Sequence, residues 1–200
     1  MINPPIKLGF LASNNGASMR AIVLAIEAGA LAAEARVVVS NKPEAPALAF
    51  ARAHGVPTEV IATAKDPVAA DARLAATLQG AGVQLVVLSG YLRKLGPRTL
   101  TAYAGRVLNI HPGPLPRFGG QGMYGRRVHE AVAAAGVLMT AVTVHVVDEE
   151  YDHGPTVLAL DVPLAPGDDA AAIEAKVTAA EAGVFVDVVR RIAEGTLALP

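Results

Sequence analysis

The chain contains no cysteine, which excludes disulfides, thiolate metal sites and cysteine nucleophiles and fits an intracellular protein. It also lacks an apolar run approaching the roughly 20 residues of a membrane span. Its start, MINPPIKLGFLAS, has only a short apolar stretch behind two prolines and reads as neither a secretory signal nor a span. Neither sign of charge is in excess: 17 basic residues stand against 18 acidic ones, net −1. The basic residues are scattered, so no stripe points to nucleic acid or another polyanion. Internal repeats and low-complexity linkers are missing too, and no His, Asp and Glu set has metal-ligand spacing. The expectation is a soluble, cytoplasmic protein with small-molecule partners, no nucleic acid, no membrane and no metal; a homodimer is compatible with all of this.

What is present is apolar: 52% of 200 residues, ample for one core, so a single domain over 1–200 is the simplest reading. Short β-branched runs at Lys7–Ala12, Ala35–Ser40, Gln84–Ser89 and Arg106–Ile110, with a weaker one at Pro57–Ile61, read as strands. Ala-rich stretches at Ser18–Ala28, Pro46–Ala53, Val68–Leu78 and Tyr124–Ala134 read as helices. After Val137 two strands, Met139–Val147 and Pro155–Leu160, come without a helix between them, and a last helix covers Asp169–Glu194. The pattern predicts an α/β, Rossmann-like domain: a mostly parallel twisted sheet, helices on both faces, and a mixed or antiparallel edge.

Open α/β sheets bind ligands beyond the carboxyl ends of their strands, and three polar segments fall there. SNNGAS (Ser13–Ser18) offers a tight turn at Gly16 and free backbone N–H groups for a phosphate or carboxylate. It is neither a GxGxxG fingerprint nor a Walker loop, and an ordinary capped turn is the plain alternative. SGYLRKL (Ser89–Leu95) sets Arg93 among apolar residues, with Leu92 and Leu95 able to wall a slot, or is a surface turn with a solvated Arg. NIHPGPLP (Asn109–Pro116) places Asn109 and His111 two apart, on one side of an extended segment, and Pro112, Pro114 and Pro116 stiffen the backbone after them. An amide donor beside a group that donates or shuttles a proton suits an oxyanion developing on a carbonyl carbon. The acidic loop VVDEEYDHGP (Val146–Pro155) supplies Asp148, Glu149, Glu150 and Asp152 as candidate partners for His111, and spacing does not choose among them. His54 reads as a helix-end residue, His129 as a helix residue, His145 as core or sheet face and His153 as a loop residue.

Together these segments, NGxS after a first strand, LSGYLRKL, LNIHPGPLPRF and DEEYDHGP, resemble the glycinamide ribonucleotide formyltransferases, folate-dependent one-carbon transferases of purine biosynthesis. The resemblance runs from Ile6 to about Gly195. It implies formyl transfer from 10-formyltetrahydrofolate, as cosubstrate, to the amine of 5'-phosphoribosylglycinamide. It implies direct attack by the amine, with Asn109 and His111 stabilising the oxyanion and Asp152 supporting a protonated His111, the aspartate being chosen by the family's D-x-G-P at Asp152–Pro155. It further implies Gly16, Ala17 and Ser18 at the substrate phosphate and Glu181 at the ribose. The folate site would comprise Leu92, Arg93, Lys94, Leu95, Asn109 and Val147.

Departures are specific. NGAS stands for the usual NGSN, His153 for a usual Gly, and Pro67 for an Arg that contacts the folate glutamate tail, with Lys65 nearby. The glycine-rich Phe118–Arg127 is longer than in shorter relatives and suggests a lid. A formyltetrahydrofolate hydrolase shares the trio but carries an N-terminal regulatory domain. Methionyl-tRNA formyltransferase carries Arg-Gly-Ala after the prolines and an RNA-binding domain. Neither addition is read here. A non-catalytic nucleotide-binding module would explain the sheet and SNNGAS but not the Asn109, His111 and Asp152 set.

Overall fold

The computed structural model describes residues 4–199, and within them the apolar runs become the strands of one sheet. These are β1 (Ile6–Leu11), β2 (Ala33–Ser40), β3 (Thr58–Val60), β4 (Leu85–Leu88), β5 (Val107–His111), β6 (Met139–Val146) and β7 (Thr156–Pro163). The helices are α1 (Ala17–Glu27), α2 (Pro46–Ala53), α3 (Pro67–Gly80), α4 (Pro97–Ala102), α5 (Arg126–Ala134) and α6 (Ala170–Ala193). The strand order is β3-β2-β1-β4-β5-β6-β7. The first five strands are parallel, whereas β6 runs antiparallel to both β5 and β7. Among the described residues no helix is long and apolar enough to cross a membrane.

The period-2 alternation of side chains divides the core into two clusters, one per face. Leu8, Phe10, Val38, Leu85, Val87 and Leu108 join Met19, Ile22, Leu48, Val128 and Phe185 from α1, α2, α5 and α6. Their neighbours Leu11, Val37, Val39, Val86, Leu88 and Val107 join Leu74 and Leu78 of α3 with Leu95 and Tyr103 on the other face. Burying each such side chain contributes about 1.5–3 kcal/mol. From Leu8 on in β1, throughout β4 and up to Leu108 in β5 the strands are free of polar side chains, and Asn109 and His111 come at the carboxyl end, where cover stops.

The helix starts are set by capping chemistry. Asp66 and Asp169 accept the N–H groups of Ala69 and Ala172 at the first turns of α3 and α6. The short α4 has no counterpart in the sequence pattern, because its cap comes from elsewhere in the chain. The buried Asp71 carboxylate of α3 accepts the N–H groups of Arg98 and Thr99 and the Thr99 hydroxyl. Other boundaries move slightly: β5 takes in His111, β7 runs on to Pro163, and α5 begins at Arg126 rather than Tyr124.

Two features position the site. Strand order reverses between β1 and β4, so the loops after them face each other across a crevice. At the antiparallel edge, the loop from β6 to β7 must fold back over the end of β5, and Gly154 permits it. A Cβ there would stand 1.9 Å from the Val146 carbonyl oxygen, a backbone atom with no room to yield. Gly154→Ala is therefore expected to lower unfolding free energy by about 1–3 kcal/mol in denaturant titration.

Candidate active site

The β1–β4 crevice is held by two serines. The Ser13 hydroxyl donates to Asn41 Oδ1 and accepts the Leu92 N–H. Ser89 Oγ accepts the Met19 N–H of α1, and Ser13 N donates to the Gly90 carbonyl. SNNGAS is thus tied to SGYLRKL. At its centre Gly16 takes a left-handed conformation, φ 67°, and α1 begins with neither an acidic residue nor a side-chain cap. Met19 apart, no partner among the described residues takes its first N–H groups, those of Ala17 and Ser18, which are left for a ligand. Ala17 is exposed and Ser18 buried. Arg20 donates to the Asn15 carbonyl and Lys42 to Asn14 Oδ1, so two cations brace the turn.

Beyond the crevice the folate-site candidates divide. Leu92, 54% exposed, Arg93 and Lys94 face solvent, with the Lys94 ammonium 5.8 Å from the ring centroid of Tyr151. Leu95 is buried, and Val147 packs against the same cluster while its N–H donates to the Val107 carbonyl. The slot thus has a fixed floor and a free rim. Lys65 is exposed in the connection from β3 to α3, and among the described residues no hydrogen bond or ion pair joins it to the site.

Asn109 and His111 stand on the face of β5 shared with Val107, at the end the α3 layer leaves uncovered. The antiparallel register sets Asn109 opposite His145 and His111 opposite Thr143, so cross-strand side chains lie side by side. Asn109 Nδ2 donates to His145 Nε2 at 3.1 Å, and His145 Nδ1 donates to the Val146 carbonyl at 3.0 Å. The contact fixes which end of the Asn109 amide faces His145. One Asn109 N–H is thereby used and the other left. His145, read from the sequence as core or sheet face, belongs to this site. The sequence shows a polar ring inside an apolar strand just ahead of the acidic loop, but only the register makes that placement meaningful.

His111 is buried. Its Nε2 donates to the Phe118 carbonyl at 2.8 Å, and its Nδ1 faces Asp152 Oδ2 at 3.4 Å. Asp152 adopts a left-handed backbone, φ 55°, unusual for a side-chain-bearing residue although Asp tolerates it. That twist turns its carboxylate inward, where Oδ1 lies 3.5 Å from His145 Nε2 and Oδ2 accepts the Gly120 N–H. Of the four candidate acids it is the one that reaches His111. Asp148 pairs with the exposed His153 instead, while Glu149 and Glu150 face solvent.

The electrostatics oppose one another. Burial pushes the His111 pKa below its usual value and the Asp152 charge pulls it back up, with the net shift downward. Burial would raise the Asp152 pKa, but contacts with His145, His111 and the Gly120 amide together bring it below the usual carboxylate range. At neutral pH His111 is therefore an uncharged ring whose Nδ1 lone pair points at a carboxylate, a gap that would hold a proton well. On α6, which packs on α1, burial pushes half-buried Glu181 up to about 7. The structure thus groups Asn109, His111 and Asp152 with His145. Gly16, Ala17 and Ser18 lie in a turn tied to the Leu92–Leu95 loop. Among the described residues no three His, Asp or Glu side chains are arranged to hold a metal ion. A cleft of about 760 Å³ lies elsewhere, beside Ala33–Val37 of β2, and is lined by none of these groups.

Known proteins share this chain's pattern. The family model for formyl transferases matches residues 6–189. A chloroplastic phosphoribosylglycinamide formyltransferase from Vigna unguiculata is 36% identical over 94% of this chain, which spans 61% of that relative's length. The Escherichia coli phosphoribosylglycinamide formyltransferase is 35% identical over 94% of the chain and 87% of its own. Among solved structures, glycinamide ribonucleotide transformylase 1 from Symbiobacterium toebii superposes with a TM-score of 0.88 at 34% identity, covering 98% of this chain and 91% of that one.

Two titrations probe these electrostatics. Asp152→Asn removes the charge that raises the His111 pKa, so NMR should show the His111 ring titrating at lower pH than in wild type. Glu181, whose folded pKa of about 7 lies above its ordinary 4.5, favours folding below pH 4.5 and opposes it progressively as pH rises through 7. Glu181→Gln should accordingly stabilise the protein at pH 8, on the order of 2 kcal/mol in thermal or chemical unfolding, and make no difference below pH 4.5.

Proposed function

This chain belongs to the formyl transferase family, and from that premise we propose that it is a phosphoribosylglycinamide formyltransferase, a single domain over 1–200 that uses 10-formyltetrahydrofolate as donor. The observation that carries the reading is the convergence of Asn109, His111 and Asp152, with His145, at one strand end. A polar, proton-holding cluster serves acyl transfer and is superfluous for a nucleotide-binding module.

The substrate phosphate binds the free N–H groups of Gly16, Ala17 and Ser18, and Glu181 holds the ribose. Because Ala17 has no hydroxyl and Ser18 is buried, backbone donors carry most of that recognition. The folate pterin lies against Leu92–Leu95, Asn109 and the Val147–Asp152 loop, with Arg93 and Lys94 at the exposed rim.

The amine nitrogen attacks the formyl carbon. A carbon–nitrogen bond forms and the carbonyl π pair becomes an oxyanion. The Asn109 N–H not committed to His145 donates to that oxyanion, so His145 acts by fixing the amide's orientation. The amine proton passes, through water, to His111 Nδ1, where Asp152 stabilises the imidazolium formed. Collapse of the intermediate breaks the bond to the folate nitrogen, which takes the proton and leaves. Desolvation keeps His111 uncharged until that proton arrives, and the carboxylate facing Nδ1 holds it afterwards.

The test is turnover of 10-formyltetrahydrofolate with and without phosphoribosylglycinamide. Consumption that requires the amine is expected; amine-independent formate release would instead indicate the hydrolase. His111→Ala should lower kcat about 10²–10⁴-fold and Asn109→Ala about 10²–10³-fold. Unchanged turnover in His111→Ala would sink the mechanism.

A further inference from the structure

The glycine-rich segment after the prolines shows an unexpected feature where it begins. Phe118, buried in the core, accepts the His111 Nε2–H through its carbonyl. Two residues on, the Gly120 N–H donates to Asp152 Oδ2 at 3.1 Å. Three consecutive residues thus touch both members of the pair. Between them, Gly119 packs so closely that a Cβ would meet Leu115 Cδ2 at 2.3 Å and Asp152 Cβ at 3.0 Å. The next glycines differ: a Cβ on Gly120 would meet nothing within 4 Å, and one on Gly122 only the tip of Arg127 at 3.9 Å. Empty space at 120 and 122 beside contact at 119 separates a loop glycine from one packed between Leu115 and Asp152.

We propose that Phe118–Gly120 is a backbone strap that positions the Asp152–His111 pair, with Gly119 as a positioning residue whose missing side chain lets the Asp152 carboxylate lie against the strap. The inference deepens the formyl-transfer reading and rests on it only for the catalytic consequence. The strap orients the ring by giving Nε2 a fixed acceptor, which leaves Nδ1 alone to face the carboxylate. It also supplies a donor to Oδ2, which favours the ionised form. Displacing the strap moves the carboxylate from His111 and removes that donor together. The other titrating groups packed around the pair are His145 on β6, which faces Asp152, and His129 on α5, which senses the His111 charge along with Glu174 and Arg126. Asp148, bound to His153, acts on this cluster through His145.

The experiment is an NMR titration of the His111 ring in wild type, Gly119→Ala and Gly122→Ala, alongside steady-state kinetics and thermal unfolding. In Gly119→Ala the His111 titration should move to lower pH, toward that of Asp152→Asn. Its kcat should fall about 10–100-fold with little change in KM, as a displacement near 1 Å produces. Gly122→Ala, which strains the same loop at φ 88° without touching Asp152, should leave the His111 titration in place. If Gly119→Ala does not fold, Gly120→Ala is the second variant: it perturbs the donating amide at φ 98° without a clash and should shift His111 in the same direction. Identical His111 titration in wild type and both strap variants, or an equal shift in Gly122→Ala, overturns the proposal. The titration needs no turnover, so a shifted His111 in a protein that transfers no formyl group would leave the strap standing and remove the function. An unshifted His111 in an active enzyme would do the reverse.

Discussion

The site depends on one carboxylate held against its preference. Asp152 is removed from most of the water, which by itself would neutralise it. A backbone N–H donates to it and two imidazole nitrogens face it, each from a different part of the chain: Gly120 in the loop after the prolines, His111 on β5 and His145 on β6. None of these contacts is short enough to be a strong bond alone. Together they join the loop after the prolines and the β6–β7 loop to the paired ends of β5 and β6. The left-handed backbone of Asp152 and the side-chain-free neighbours Gly119 and Gly154 are the local conditions for that convergence.

The sheet explains why the convergence happens where it does. Parallel strands buried on both faces have no place for hydrogen-bonding side chains until they emerge from helix cover. β5 emerges with Asn109 and His111 on the face of the α3 layer. The switch to antiparallel pairing at β6 then provides what a parallel neighbour would not. Direct cross-strand pairing puts His145 beside Asn109, and a short return loop brings Asp152 over both. The reversal between β1 and β4 places the SNNGAS turn next to the slot at Leu92–Leu95. In the proposed reaction these two features correspond to the two substrates.

The geometry also constrains how such a site works. His111 spends one nitrogen on the Phe118 carbonyl, so only Nδ1 is available for chemistry, and that nitrogen faces Asp152. Asn109 spends one amide hydrogen on His145. Each proposed catalytic group is thus reduced to a single free valence whose direction the surrounding backbone sets. Such preorganisation is what makes a hydrogen-bond donor effective on a transition state, because no reorientation is needed as charge develops.

The amino-acid sequence by itself determined the alternating architecture, the apolar core, the three polar strand ends and the pairing of Asn109 with His111, because periodicity and turn chemistry are local. It also carried enough family pattern to single out Asp152 from four acids. Only the tertiary structure decided that His145 belongs with that trio, that α4 forms, and that Gly119 rather than its neighbouring glycines lies against Asp152. Those facts depend on contacts between residues distant in the chain: Asn109 with His145 across an antiparallel register, Asp71 with the first turn of α4, and the Phe118–Gly120 backbone with the β6–β7 loop. Local sequence can prescribe a strand or a turn, but a register between strands and the fit of a backbone against a side chain exist only once the chain has closed on itself.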